Sequence, residues 1–351
     1  MTVRTTGEHA TRLRLGWLVA GVLAVVLAGI AGVATGAVPI PPGRLLGELT
    51  GHLPWVSSGS GLDSRELTIV EQLRLPRVVL ALLVGSMLAS AGAAYQGVFR
   101  NPLADPYLLG AAAGAGLAVT VVIVTLPGVT GGDFNPVPLA AFTGALGAVL
   151  LAYALGRAGG GRSTATLLLA GVAVASFLTA VQTFVQQRNV DTIQQVYSWI
   201  LGRLTVAGWR EVLLVLPYFV VTSIVLLAHR RVLDVLAVGD AEATTLGVPT
   251  ARTRLVSVAA ASLATAAAVS VSGLIGFVGI IVPHTIRLLA GSSYRVILPL
   301  SLLFGGAFLA LADLVARTVA SPAEIPIGVV TAFVGAPFFV LVLRTSQGVR
   351  A

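Results

Sequence analysis

Few residues in this chain are of a type that does chemistry, and they are widely spaced. Asp240 and Glu242 stand with Thr244 and Thr245 between Gly239 and Gly247 in VGDAEATTLGVP. Arg74 and Arg77 lie three apart in LRLPRV, and Arg317 follows Asp313 by four, one helical turn. Thr179, Gln182 and Gln186 recur at a spacing that puts them on one helix face. All 22 basic residues are Arg, so a phosphate-binding P-loop and Schiff-base chemistry, both of which need Lys, are excluded from this chain. With no Cys there are no disulfides, thiolate metal sites or iron-sulfur ligands. His9, His52, His229 and His284 are scattered without ligand spacing, so no metal site is expected. No Ser has a nearby base pattern, which leaves no constellation for an enzyme. What remains is recognition: guanidinium forks suit carboxylates, and amide and hydroxyl side chains suit polar ligands or neighbouring helices.

The elements that position these residues are membrane spans. The chain is 56% hydrophobic and only 10% charged, with mean hydropathy +0.94, whereas soluble domains run near a quarter charged. A basic tail, residues 1–14, leads directly into an apolar run with no small-residue cleavage pattern, which predicts an uncleaved first span. About ten segments approach the ~20 apolar residues needed to cross a bilayer. They cover roughly 15–38, 76–98, 107–126, 138–156, 165–187, 210–229, 253–273, 275–290, 296–319 and 327–343. The expected fold is all-α and polytopic. The eighth segment, SGLIGFVGIIVPHTIRLL, is short and glycine-interrupted, which predicts a helix broken or packed inside the bundle. Gly85, Gly92, Gly97, Gly110, Gly114, Gly144, Gly147, Gly305 and Gly306 read as close helix contacts.

With the N-terminus cytoplasmic and the spans alternating, 14 of the 22 Arg fall inside and both termini are cytoplasmic. The eight others fall on or near the outer side, a surplus that suits an acidic partner from outside or a solvated rim. Arg74 and Arg77 then sit at the outer surface, where snorkelling anchors are the plain alternative. Asp313 and Arg317 pair near the outer end of the ninth span, and intramembrane charges are functional candidates by default. Glu324, in SPAEIP, reads as loop structure, with a gating contact as the lesser alternative. Thr179, Gln182 and Gln186 line a pathway or bond between helices with equal ease, and Gln96 is similarly ambiguous. Asp240 is the expected N-cap of a two-turn helix stopped by Gly247 and Pro249, on the cytoplasmic side.

Several phrases in order resemble one family. They include EQLRLPR (71–77), AAYQGVFRNPLADPYLLGAAAGAG (93–116), SWILGRL (198–204), GDAEATTLGVP (239–249), GLIGFVGIIVPHTIRLLAGSSYRVILPLS (273–301) and GAFLALADLVARTVASPAEIPIGVVTAFVGAPFFVLVL (306–343). The chain is similar over residues 66–345 to the FecCD-type permease subunit of type II ABC importers, the group that moves iron-siderophores, haem and vitamin B12. That resemblance implies a permease domain over 15–345 with a coupling-helix segment at 234–249 and a C-terminal tail at 346–351. It implies two ABC ATPase subunits on the cytoplasmic side, a second permease subunit, identical or related, and an extracytoplasmic substrate-binding protein docking outside, with this chain multi-pass in a bacterial inner membrane. ATP and Mg belong to the partner ATPase; this chain binds no cofactor and no nucleic acid. Gly239, Asp240, Glu242, Thr245, Leu246 and Gly247 take the ATPase-coupling role, and Arg74, Arg77 and Arg317 the binding-protein docking role. A ferric siderophore is the leading cargo, with haem or vitamin B12 behind it. The rival of another class is an ion-coupled secondary transporter, which should show a buried charge cluster.

Overall fold

A computed structural model describes residues 13–36, 40–41, 43–44, 47, 62–126, 135–158, 164–204 and 208–347. Residues 1–12 and 348–351, with His9 and His52, lie outside these. Among the described residues the chain is helical without strands. The α-helices that can be bounded among the described residues are α1 (Leu15–Ala34), α2 (Ser64–Thr68), α3 (Leu75–Phe99), α4 (Ala111–Thr125), α5 (Val137–Ala158), α6 (Thr164–Arg188), α7 (Ile193–Ile200), α8 (Trp209–Val238), α9 (Asp240–Thr245), α10 (Thr250–Ser272), α11 (Val278–Leu289), α12 (Tyr294–Thr318) and α13 (Ile327–Gln347). Among the described residues seven helices are long and apolar enough to cross a membrane, and α4, α11 and the apolar part of α13 are shorter. Together they coincide with the ten segments expected from the sequence.

The bundle is built around α3, whose residues from Val78 to Phe99 are almost all buried. It packs against α12, α10, α8 and α11, while α4, α5 and α6 pack on one another and join through α10. Lipid supplies no hydrophobic drive between helices, so close backbone approach does this work. A Cβ at Gly85 would lie 2.2 Å from the Gly305 carbonyl oxygen, and one at Gly114 would lie 2.2 Å from that of Gly144. Gly147, by contrast, faces open space and makes no such contact.

Helix α2 runs into α3 through a π-helical turn, Ile69–Arg74, in which Leu75 N donates to Val70 O. Pro76 explains the extra residue: it has no N–H to donate, and its ring disfavours a regular turn before it. The 36 residues from Ser64 to Phe99 thus form one continuous helical element, so the Arg74–Arg77 end is mechanically joined to Arg100.

Two helices are short because irregular backbone precedes each of them. α4 starts only after residues 101–110, and α11 starts after a break at 273–277. Irregular backbone in a membrane must find its hydrogen bonds within the protein. Here the Tyr107 hydroxyl accepts from Ile275 N and donates to Ile275 O, both at 3.1 Å, so one side chain satisfies both backbone groups of Ile275 within the break. The eighth segment is therefore a broken, internally packed helix, as its glycines suggest.

Candidate functional site

The polar stretch that interrupts the apolar sequence forms α9, six residues long. Gly239, with φ of +154°, is its N-cap, and Asp240 is the first helical residue without a capping bond. Asp240 was expected at the cap. Its carboxylate is drawn instead to Arg254 on α10, whose Nη2 donates at 2.9 and 3.0 Å, with Arg100 Nη2 at 4.0 Å. Glycine suits position 239 because L side chains rarely adopt that φ. Ala243 is fully buried and packs the helix on the bundle, while Gly247, at φ +78°, closes its C-terminus, with Gly247 N donating to Thr244 O at 2.9 Å and Val248 N to Ala243 O at 3.0 Å. Glu242, Thr245, Leu246 and Gly247 are exposed, and Leu246 stands 70% exposed at the tip. The result is a short helix held at both ends by long helices, with one leucine projecting away from the protein.

At the other end of α3 lies a cluster of five charges. Arg77 Nη2 donates to Asp313 Oδ1 at 2.8 Å, and its Nε donates to both Asp313 oxygens at 3.1 Å. Its outer edge grips Glu324 as a fork, Nη1 to Oε1 and Nη2 to Oε2, each at 2.9 Å. Arg317 also faces Asp313, but at 3.6 Å, so the one-turn pair read from the sequence exists as the weaker of two contacts. The Asp313 side chain is only 2% exposed, and a carboxylate buried that deeply needs this degree of pairing. Arg74 and Arg317 have a further job. Arg74 Nη1 donates to Val33 O at 2.9 Å and Ala34 O at 3.3 Å, and Arg317 Nη2 donates to Gly32 O. These are terminal carbonyls of α1 with no intrahelical partner, and two cations at a helix C-terminus answer both the hydrogen bonds and the dipole. The three arginines expected at a docking surface are thus engaged inside the subunit, and Glu324 is part of their cluster, not mere loop.

The polar residues expected along a pathway are divided. Thr179 is exposed on α6, Gln186 is half-buried, and Gln182 is buried against Gly116 of α4, where a Cβ would lie 2.8 Å from its Oε1. The exposed polar line on α6 runs through Ser176, Thr179, Thr183 and Gln187. Gln96 is 1% exposed and cross-links helices: its Nε2 donates to Gly279 O at 3.2 Å and its Oε1 accepts from Arg287 Nη2 at 3.0 Å. His284 is buried beside Phe338, and no metal-binding group of His and carboxylates occurs among the described residues.

A bundle of about ten spans with a short projecting helix at one end, a charge cluster at the other and no nucleotide motif defines a transmembrane transport subunit. The chain belongs to the FecCD transport family, which it matches over residues 18–345; it is an ABC transporter permease. It is 44% identical over 337 residues to the cobalamin import system permease protein BtuC of Halobacterium salinarum, covering 94% of this chain and 87% of that one. It is 36% identical over 275 residues to the Fe(3+) dicitrate transport system permease protein FecD of Escherichia coli, covering 78% and 85%. Among solved structures, a metal-chelate type ABC transporter in an inward-facing conformation matches with a TM-score of 0.82 at 27% identity, covering 95% of this chain and all of that one. The match removes the ion-coupled secondary transporter as a rival, and the buried charges hold α1, α3 and α12 together.

Proposed function

We propose that this permease imports a bulky metal chelate, a ferric siderophore first, handed over by an extracytoplasmic binding protein and driven by two ATPase subunits. A second permease copy, identical or related, completes the pathway. The observation that carries this reading is the family match over nearly the whole chain together with the exposed α9 tip. Orientation supports it. With the termini inside, 14 Arg meet five carboxylates on the cytoplasmic side, and eight Arg meet nine carboxylates outside. The cytoplasmic face of a bacterial inner-membrane protein is thus strongly basic, while the outer arginines are already matched. α9 then faces the ATPase. ATPase closure would push on Leu246 and Glu242, tilt α8 and α10, and through the Arg254–Asp240–Arg100 contacts reach α3. The exposed polar line on α6 is suited to a pathway shared with the second permease, since polar side chains facing lipid are costly.

Cobalamin is the second reading, favoured by the 44% identity to the Halobacterium permease. Uptake into cells lacking their own iron-siderophore and cobalamin permeases, with the cognate ATPase and binding protein co-expressed, tests both. ATP-dependent accumulation of radiolabelled ferric siderophore supports the first reading. Accumulation of cobalamin without iron replaces it with the second, and accumulation of neither sinks both.

A further inference from the structure

Asp234 stands on the last part of α8, just before the Gly239 cap of α9. Its Oδ1 accepts from Tyr294 N at 2.5 Å and its Oδ2 from Ser293 Oγ at 2.7 Å, both at the start of α12, and Arg295 Nε lies 3.3 Å from Oδ2. Tyr294 in turn meets Arg287, on the last turn of α11. Arg287 Nη2 donates to the Tyr294 hydroxyl at 3.3 Å, and the guanidinium lies 5.4 Å from the ring centroid. We infer that Asp234 is the positioning residue that carries movement of α9 to the broken helix α11, and so to Phe277 at the head of that helix. The inference rests on the ATPase-coupling reading of α9 above and deepens it.

α12 does not need Asp234 as its cap, because its own N-cap, Ser293, already accepts from Arg295 N at 3.2 Å. The carboxylate adds a tie from another helix, favoured by the positive end of the α12 dipole. Among the described residues α8 and α11 both pack on α12 but barely touch one another, so Tyr294 joins them. Tyr294 is buried, and a Cβ at Gly97 of α3 would lie 3.1 Å from its ring, which holds it in place. At the other end of α11, Gln96 binds the first turn as well as the last, through Gly279 O at 3.2 Å and Arg287 Nη2 at 3.0 Å. A displacement at Arg287 is thus shared by the turn that follows the break. That turn begins at a strained residue. Phe277, the N-cap of α11, has φ of +70°, a left-handed conformation that is costly for an aromatic side chain. Its ring packs edge-on to Phe339 of α13 at 6.4 Å, and it lines a cavity of about 640 Å³ together with Leu201, Leu274, Gly328 and Phe333. A sparsely populated backbone state beside open volume changes with a small shift of its helix.

The test uses the permease–ATPase complex in nanodiscs, with an ATPase freed of its own Cys. A nitroxide on Gly276→Cys then reports the turn beside Phe277 alone, since the permease has no Cys and a Cβ at 276 meets nothing within 4 Å. With Asp234 intact, the label is expected to change mobility between the nucleotide-free complex and one trapped with ATP and vanadate. In Asp234→Ala that change is expected to shrink about five-fold, the weight of one net hydrogen bond in an equilibrium, while the complex still assembles and hydrolyses ATP. Asp234→Asn keeps an acceptor for Tyr294 N and a partner for Ser293, and is expected to restore the response. A merely structural carboxylate would lower the melting temperature and leave the label's response intact. Tyr294→Phe keeps the ring and removes only the hydroxyl; it too is expected to shrink the response, and it decides the matter where Asp234→Ala does not assemble. An undiminished response in either variant, or an unresponsive label with Asp234 intact in a complex that hydrolyses ATP, overturns this inference alone. A permease with native α9 that assembles with no ATPase overturns the coupling reading and this inference with it.

Discussion

Arg77 and Asp313 are joined by three hydrogen bonds of 2.8 to 3.1 Å although 236 residues separate them, and they lock α3 to α12 at the end of the bundle opposite α9. Removing one partner of such a pair leaves an uncompensated buried charge, which costs roughly 3–5 kcal/mol. Asp313→Asn is expected to lower the unfolding temperature of the detergent-purified permease steeply. A shift as small as that of an exposed surface variant would show that the pair is not structural.

Arg74 is expected to matter even in the absence of any partner. Arg74→Met keeps the length of the side chain but deprives Val33 and Ala34 carbonyls of their donor, a loss of about 1–3 kcal/mol for buried acceptors. Protease sensitivity should then rise at the end of α1 before the bundle as a whole melts. If the variant loses only binding-protein affinity while α1 stays protected, Arg74 acts in docking and not in capping.

The spans were legible because apolar runs of the right length have few other uses, and even the broken α11 announced itself through its glycines. Partners were not. The Asp313–Arg317 spacing is visible in sequence, whereas Arg77, which holds Asp313 more closely, comes from a helix 236 residues away. Asp240 looked like a cap because the local pattern fits one, yet Arg254, 14 residues on, competes for its carboxylate. Helical spacing grouped Thr179, Gln182 and Gln186, but it cannot register that Gly116 on another helix leaves room for one of the three to turn inward.

Leu246 offers a clean test of ATPase coupling because, at 70% exposed, its substitution is expected to leave the bundle intact. Leu246→Arg is expected to abolish co-purification with the ATPase while the permease alone elutes and melts as before. Retained complex formation would remove α9 as the docking element.

Asp105 should make stability depend on pH. It lies in the turn segment between α3 and α4, and its one backbone donor, Tyr107 N at 2.7 Å, does not offset the burial that pushes its carboxyl up to about 6. The neighbouring hydroxyls are committed elsewhere, Tyr107 to Ile275 and Tyr95 to Ser262. In the unfolded chain the group titrates near 3.8. Between about pH 4 and 6 the native state therefore holds a proton that the unfolded state has released, so stability falls as pH rises through this window and stays low above it. A difference of about two pK units corresponds to roughly 3 kcal/mol as an upper bound. Asp105→Asn keeps the acceptor for Tyr107 N and removes the charge. Unfolding temperatures of the two proteins, measured from pH 4.5 to 8, should diverge as pH rises, with the variant more stable at the alkaline end. Curves that stay parallel across the range would mean that the carboxylate is solvated or paired and carries no such cost.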